Sequence, residues 1–510
     1  MKMIDDFVNI VSPNQFEIKL GYLADKNIKK VKYYTNIYLF IPYNLNINRY
    51  TYKKEDFYND YVSYIRLITP RYDITVLLEK LKEIDRIFRI STANEENIKK
   101  VIQEMKVIVC SYMTFIKNFL KTIENSNKID HSSTKIFLDR LDSFLQIKNG
   151  MMDINEDKKD EEIVFAINAM VEYTSMATQY YLFRLNEYLN LFECNYFDLN
   201  NRIIEIINHE LLFCKKNNIP IISSDDRENE NVIYRYNVYK KYFYNVLYLH
   251  QDRKKDGQGL KEFYYAIAAG ISMIFATLVV FFTQQKYGNF TLSFFTALVI
   301  SYMFKDRIKE AYRHYFDKKI SLKIYDFKDK IYNPRKDKLF AIIKEKVQFL
   351  YKENISKEAI KKRLRATSGK LSSWYLGEDV LKYEKVVTLY NENLQKSYNN
   401  EITGIQNIMR FDISKFLNKM DLPKVPLYRI DNKNLYGDKV YHLNVILEFR
   451  TKKSDISKKI RIVLTKKGIK RIEIPEDDMI IYKKTKVKNS KNWFLLKKSG
   501  LLKQVAYNEG

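Results

Sequence analysis

Twenty-three consecutive residues without a charge, 263–285 (FYYAIAAGISMIFATLVVFFTQQ), constrain this chain more than any other stretch. The first 20 of them make about 30 Å of helix, the thickness of a bilayer's hydrocarbon core. After the single charge of Lys286, residues 287–304 are again uncharged, or about 27 Å if helical. Core helices of globular domains seldom run so long without charge. The expectation is therefore an integral membrane protein with a two-helix transmembrane hairpin, 263–282 and 287–304.

The flanks orient such a hairpin. Eleven Lys and Arg lie within 20 residues on its two outer sides, against one in the connection. Basic residues stay on the cytoplasmic side during insertion, so both termini are expected there, at a bacterial inner membrane. Small residues recur at helical spacing, Ala266 and Gly270 on the first segment and Ser293, Ala297 and Ser301 on the second. Such stripes let backbones approach closely, within one hairpin or between copies in a homo-oligomer. Neither span holds an ionisable residue, so a proton relay through the bilayer has no visible parts.

Charge divides at the same place. The chain of 510 residues carries +26, of which residues 305–510 contribute +24 and residues 1–304 only +2. The densest stretch, 451–500, has 16 basic residues against 5 acidic ones. Anionic lipid headgroups attract such charge when it is tethered beside them. Nucleic-acid phosphate would attract it too, but the preference for Lys over Arg weakens that reading. The wealth of Lys, Asn, Ile and Tyr also fits the product of a low-GC genome.

Periodicity lays out the rest. Residues 1–42 read as a β-hairpin, with Phe16, Ile18, Leu20 and Tyr22 alternating before a second alternating run from Val31 to Ile41. Residues 43–250 read as a helical bundle on which that hairpin docks, for example Leu77, Leu81, Ile84 and Phe88 at helical spacing. Residues 305–400 form a basic helical region, including a helix at 339–351. Residues 401–510 form a basic β-rich one, where Tyr441 to Phe449, then Ile460 to Leu464, then Ile472 and Ile474 make a three-stranded meander. The two outer regions are thus mainly α with a hairpin, then α+β.

Signatures of catalysis are scarce. Gly257 and Gly259 lack the third glycine of a dinucleotide loop, and Leu364 occupies the place of a Walker glycine ahead of Gly369 and Lys370. His209-Glu210 opens like a zinc-protease helix, but Phe213 stands where the second histidine belongs. Cys110, Cys194 and Cys214 lie too far apart for a disulfide scaffold. No catalytic residue, metal ligand or cofactor is expected. The one polar constellation is KKRLRATSGK: Lys361, Lys362, Arg363 and Arg365 precede Thr367 and Ser368, a set able to grip a phosphate.

These features point to a membrane-tethered, non-enzymatic scaffold, sensor or effector whose partners are the lipid bilayer and its anionic headgroups. An enzyme acting on a phosphate-bearing substrate and a membrane-tethered nucleic-acid binder are the alternatives.

Overall fold

A computed structural model describes residues 8–483, except 26, 91–94, 127–129, 154–160, 192–195, 289–290, 322–323, 335–336, 365–376, 399–400, 430–431, 452–453 and 475–479. These residues group into two compact units, each discontinuous in sequence: one from 1–65, 250–396 and 407–485, the other from 66–249 and 397–406.

The first unit is β-rich. Its strands are β1 (Val8–Ser12), β2 (Gln15–Leu23), β3 (Lys30–Pro42), β4 (Tyr61–Leu67), β5 (His250–Lys255), β6 (Phe327–Tyr332), β7 (Leu339–Leu350), β8 (Glu378–Tyr390), β9 (Gly404–Asp412), β10 (Lys424–Arg429), β11 (Asn432–Asp438), β12 (Tyr441–Arg450), β13 (Ser454–Thr465), β14 (Gly468–Glu473) and β15 (Ile480–Lys483). A nine-stranded sheet runs β14-β13-β12-β3-β8-β7-β6-β5, with β15 also on β13. A four-stranded sheet runs β1-β2-β9-β4, and β10 and β11 form a separate ribbon. Strand β3 lies centrally, paired with β8 along its whole length from Lys30↔Tyr390 to Pro42↔Glu378. On its other edge it pairs with β12, so both neighbours of β3 lie hundreds of residues away in sequence.

Between the two sheets the core is aromatic. Phe16 stacks on Phe411 with centroids 5.1 Å apart, and Phe57 meets both Tyr61 and Tyr383 at 5.5 Å. All five are nearly or fully buried. The expected meander is present as β12, β13 and β14, all antiparallel, with one register shift between Val463 and Leu464 where β13 meets β14.

Three expectations fail, the first being the hairpin of residues 1–42: β2 and β3 lie in different sheets and are not paired with each other. Residues 339–351 were expected to be helical, yet Leu339–Leu350 is strand β7, between β6 and β8. One face is buried from Ala341 to Val347, but the charged Glu345 lies on that face and Phe340 and Ile342 on the other, which blurs the alternation that marks a strand. More consequential is the transmembrane hairpin. Helices α8 (Gln258–Tyr287) and α9 (Leu292–Ser321) do form, but α8 alone is long and apolar enough to cross a membrane among the described residues. Helix α9 starts at Leu292, so its uncharged part, 292–304, is only about 20 Å long and the rest is charged. This corrects the expected integral membrane protein with transmembrane segments 263–282 and 287–304. The fold is α+β, with one apolar helix in a helical arm.

The unit also carries short helices α1 (Lys54–Asp60), α10 (Lys357–Leu364), α11 (Asn391–Ser397) and α12 (Ser414–Leu417). The second unit is mainly helical: α2 (Ile74–Ile90), α3 (Glu95–Ser126), α4 (His131–Gly150), α5 (Glu161–Asn190), α6 (Phe197–Lys216) and α7 (Asp226–Tyr244). Leu77, Leu81, Ile84 and Phe88 bury one stripe of α2, as their spacing requires. Asp130 and Asp225 cap α4 and α7 by accepting from the amides of Ser132 and Arg227. At the bundle's centre Lys148, fully buried, ion-pairs with Glu210 and donates to Ser175 Oγ at 2.7 Å.

Candidate functional site: an apolar arm and its ionic root

Strands β5 and β6 are antiparallel neighbours, in register from His250↔Tyr332 to Lys255↔Phe327. The chain between them is the α8–α9 arm, so a helical hairpin is inserted where a tight β-turn would suffice. Gly257 makes the corner into α8 with φ +69°, the left-handed region that glycine enters without cost. A Cβ there would also lie 2.3 Å from the Ile324 side chain. The Asp256 amide donates across the corner to the Asp326 carbonyl at 3.3 Å. The Asp326 carboxylate accepts in turn from Lys54 at 2.7 Å, Tyr58 at 3.1 Å and the Val347 amide at 2.8 Å.

Just inside this corner lies a buried ionic network. Glu345 on β7 and Lys385 on β8 are register partners and pair at 2.9 Å, both almost wholly buried. Arg253 reaches in from β5 to Glu345 at 3.0 Å and to Asp329 at 3.8 Å. Tyr61 and Tyr383 share a hydrogen bond of 2.7 Å, and Lys385 donates to Tyr61 at 3.2 Å and to Ser63 at 3.3 Å. Burial by itself would raise the Glu345 pKa, but Lys385 and Arg253 outweigh it and hold the carboxyl below its ordinary value. Asp329 differs. Burial, then repulsion from Glu345, raises it to about 6. Its Oδ2 accepts from Gln251 at 2.8 Å, while buried Oδ1 has no hydrogen-bond partner among the described residues. Cross-linked internally, this network ties β5 to β6, β7 and β8.

The arm has the opposite character. Helices α8 and α9 pack mainly on each other, and α8 buries Ala268, Ser272 and Ala276 toward its partner. Ser301 Oγ donates to the Ala276 carbonyl at 3.3 Å. The outward face of α8 is apolar: Phe263 is 62% exposed, Ile274 62% and Phe281 68%, with Ile267 and Leu278 between them. Phe295 and Met303 add to this surface from α9. Monomeric proteins rarely expose large apolar side chains in such an unbroken row.

Aromatic and basic side chains ring the arm nearer its root. Tyr264 lies against Phe316 with centroids 4.9 Å apart, and Tyr312 and Tyr315 flank Phe316. Arg313 sits over the Tyr265 ring at 5.1 Å, and Lys305 over Tyr302 at 3.9 Å.

The residues singled out in the sequence are distributed differently. Ala266 and Gly270 are exposed, and a Cβ on Gly270 would meet nothing within 4 Å. Ser293 is exposed, Ala297 half-buried, and Ser301 is in the helix–helix contact. Two small-residue stripes compete on α8, and 268–272–276 faces α9; only the partner's position chooses between them. In the phosphate constellation, Lys361 is exposed while Lys362 and Arg363 are buried. Arg363 forms a two-pronged bond to Glu378, at 2.8 and 3.1 Å, so its guanidinium is engaged internally. Arg365, Thr367 and Ser368 lie outside the described residues. The ionic root escaped sequence reading because its members span more than 300 residues, from Tyr61 to Lys385.

Comparison with known proteins finds no matching family, no matching characterised sequence and no matching solved structure.

Proposed function

We propose that this protein is a non-enzymatic scaffold or effector that attaches its α+β body to a lipid bilayer through the α8–α9 arm. The observation that carries this reading is the uncovered apolar length of α8, of which 11% is buried across its most apolar window. Moving six such side chains (Phe263, Ile267, Ile274, Leu278, Phe281 and Phe282) out of water yields on the order of 10 kcal/mol. Attachment by this arm requires no second membrane-length helix. A scaffold role is supported by the described ionic clusters, around Glu345 and around Lys148, whose charges are bonded inside the protein.

Flotation of the full chain with phosphatidylcholine vesicles tests the reading. The protein should rise with the vesicles, and the triple variant Ile274→Glu, Leu278→Glu, Phe281→Glu should stay behind with an unchanged circular-dichroism spectrum. Equal flotation of both proteins, or of neither, would overturn it.

A further inference from the structure

Beyond the apolar boundary of α9 the charges are ordered. Phe304 is the last residue of the uncharged part, and Lys305, Lys309 and Arg313 follow at intervals of four. Four-residue spacing places all three along one flank of the helix, over about 12 Å. None forms an ion pair with a carboxylate among the described residues, whereas neighbouring Arg307 is paired with Glu310 and Lys261 with Asp317. Two of the three lie over tyrosine rings, Lys305 on Tyr302 and Arg313 on Tyr265. Tyrosine beside cations at the edge of an apolar segment is the composition of a water–bilayer boundary.

The C-terminal lysines, the densest basic stretch in the sequence, are placed less favourably. Lys458 and Lys459 are buried, and Lys459 donates to the Arg363 carbonyl at 3.0 Å. Lys470 is paired with Asp438. Only some of that charge is free to meet a surface.

Resting on the lipid-attachment reading, we infer that Lys305, Lys309 and Arg313 form the headgroup-binding stripe of this protein and select anionic phospholipid. The apolar arm supplies attachment to any bilayer, and the stripe supplies preference among bilayers. Each cation near an anionic surface contributes about fivefold in binding, so three contribute about 100-fold.

The test measures partition of the full chain onto vesicles of phosphatidylcholine alone and of phosphatidylcholine mixed with phosphatidylserine. The native chain should prefer the mixed vesicles, and added salt should weaken that preference. The variant Lys305→Gln, Lys309→Gln, Arg313→Gln should lose about 100-fold on mixed vesicles and nothing on neutral ones. Its charge-conserving counterpart Lys305→Arg, Lys309→Arg, Arg313→Lys should bind as the native chain does, which separates lost charge from lost folding. Lys466→Gln with Lys467→Gln, exposed at the β13–β14 turn, should change nothing. Native chain that binds both vesicle types equally would overturn the stripe and leave arm attachment standing. Binding to neither would overturn attachment itself, and the stripe with it. Undiminished binding by the glutamine variant, or stronger competition by RNA than by mixed vesicles at the same salt, would also overturn the stripe.

Discussion

Glu345 and Lys385 give up hydration on adjacent strands and recover it from each other, from Arg253 and from Tyr61. Desolvation of such a pair rivals its attraction, so the pair adds little net stability, whereas leaving one member alone is expensive. Lys385→Met should cost about 3–5 kcal/mol, and adding Glu345→Leu to it should recover most of that loss. Urea denaturation of the two variants measures both, and an additive loss would count against coupling. Asp329 supplies a pH signature of definite sign. Its folded pKa, near 6, lies above the ordinary 3.8, so the folded state holds a proton that the unfolded state has released. That contribution is favourable at low pH and is lost as pH rises from about 4 to about 6. Asp329→Asn should therefore gain relative to the native chain at neutral pH, by up to about 3 kcal/mol, and the gap should close on acidification. A gap that widens on acidification would show that Arg253 dominates the carboxyl.

At the scale of elements, legibility followed the alternation of polar and apolar residues. Strands β12, β13 and β2 could be read because one face of each is more polar than the other, as Tyr441, Leu443 and Val445 alternate with His442 and Asn444. Strand β7 could not, because the charged Glu345 falls on its buried face and Phe340 and Ile342 on the other, which breaks the period of two. Helix α8 could be read from its uncharged length, but the second segment misled, since its first residue, Tyr287, is the last of α8 and α9 starts only at Leu292. The corner into the arm gave only a weak sign, the pair Gly257 and Gly259. These two glycines now separate cleanly. Gly257→Ala places a Cβ in the left-handed region and against Ile324, and should cost about 1–2 kcal/mol, visible as faster amide exchange in β5 and β6. At Gly259 a Cβ meets nothing within 4 Å, and Gly259→Ala inside the first turn of α8 should gain about 0.5–1 kcal/mol. Equal effects at both sites would deny Gly257 its corner role.

For the molecule as a whole, the decisive relation is that β5 and β6 would be neighbours with or without the arm. Their ladder closes at Lys255↔Phe327, and the Asp256 amide already reaches the Asp326 carbonyl across the opening. The arm's helices pack chiefly on each other, so the β-rich unit owes little of its own core to them. Clamps on the corner lie outside the arm: Lys54, Tyr58 and the Val347 amide all bind Asp326, and Lys344 pairs with Asp256 at 3.0 Å. Replacing residues 257–325 by Asn-Gly should therefore convert the insertion into a two-residue-type hairpin whose twist suits its strands. The shortened chain should keep the urea midpoint of the β-rich unit while losing flotation with neutral and anionic vesicles alike. Retained flotation would move lipid attachment to another part of the chain. Collapse of the β-rich unit would instead show that the arm completes its core, and that the apolar face of α8 is uncovered only in part.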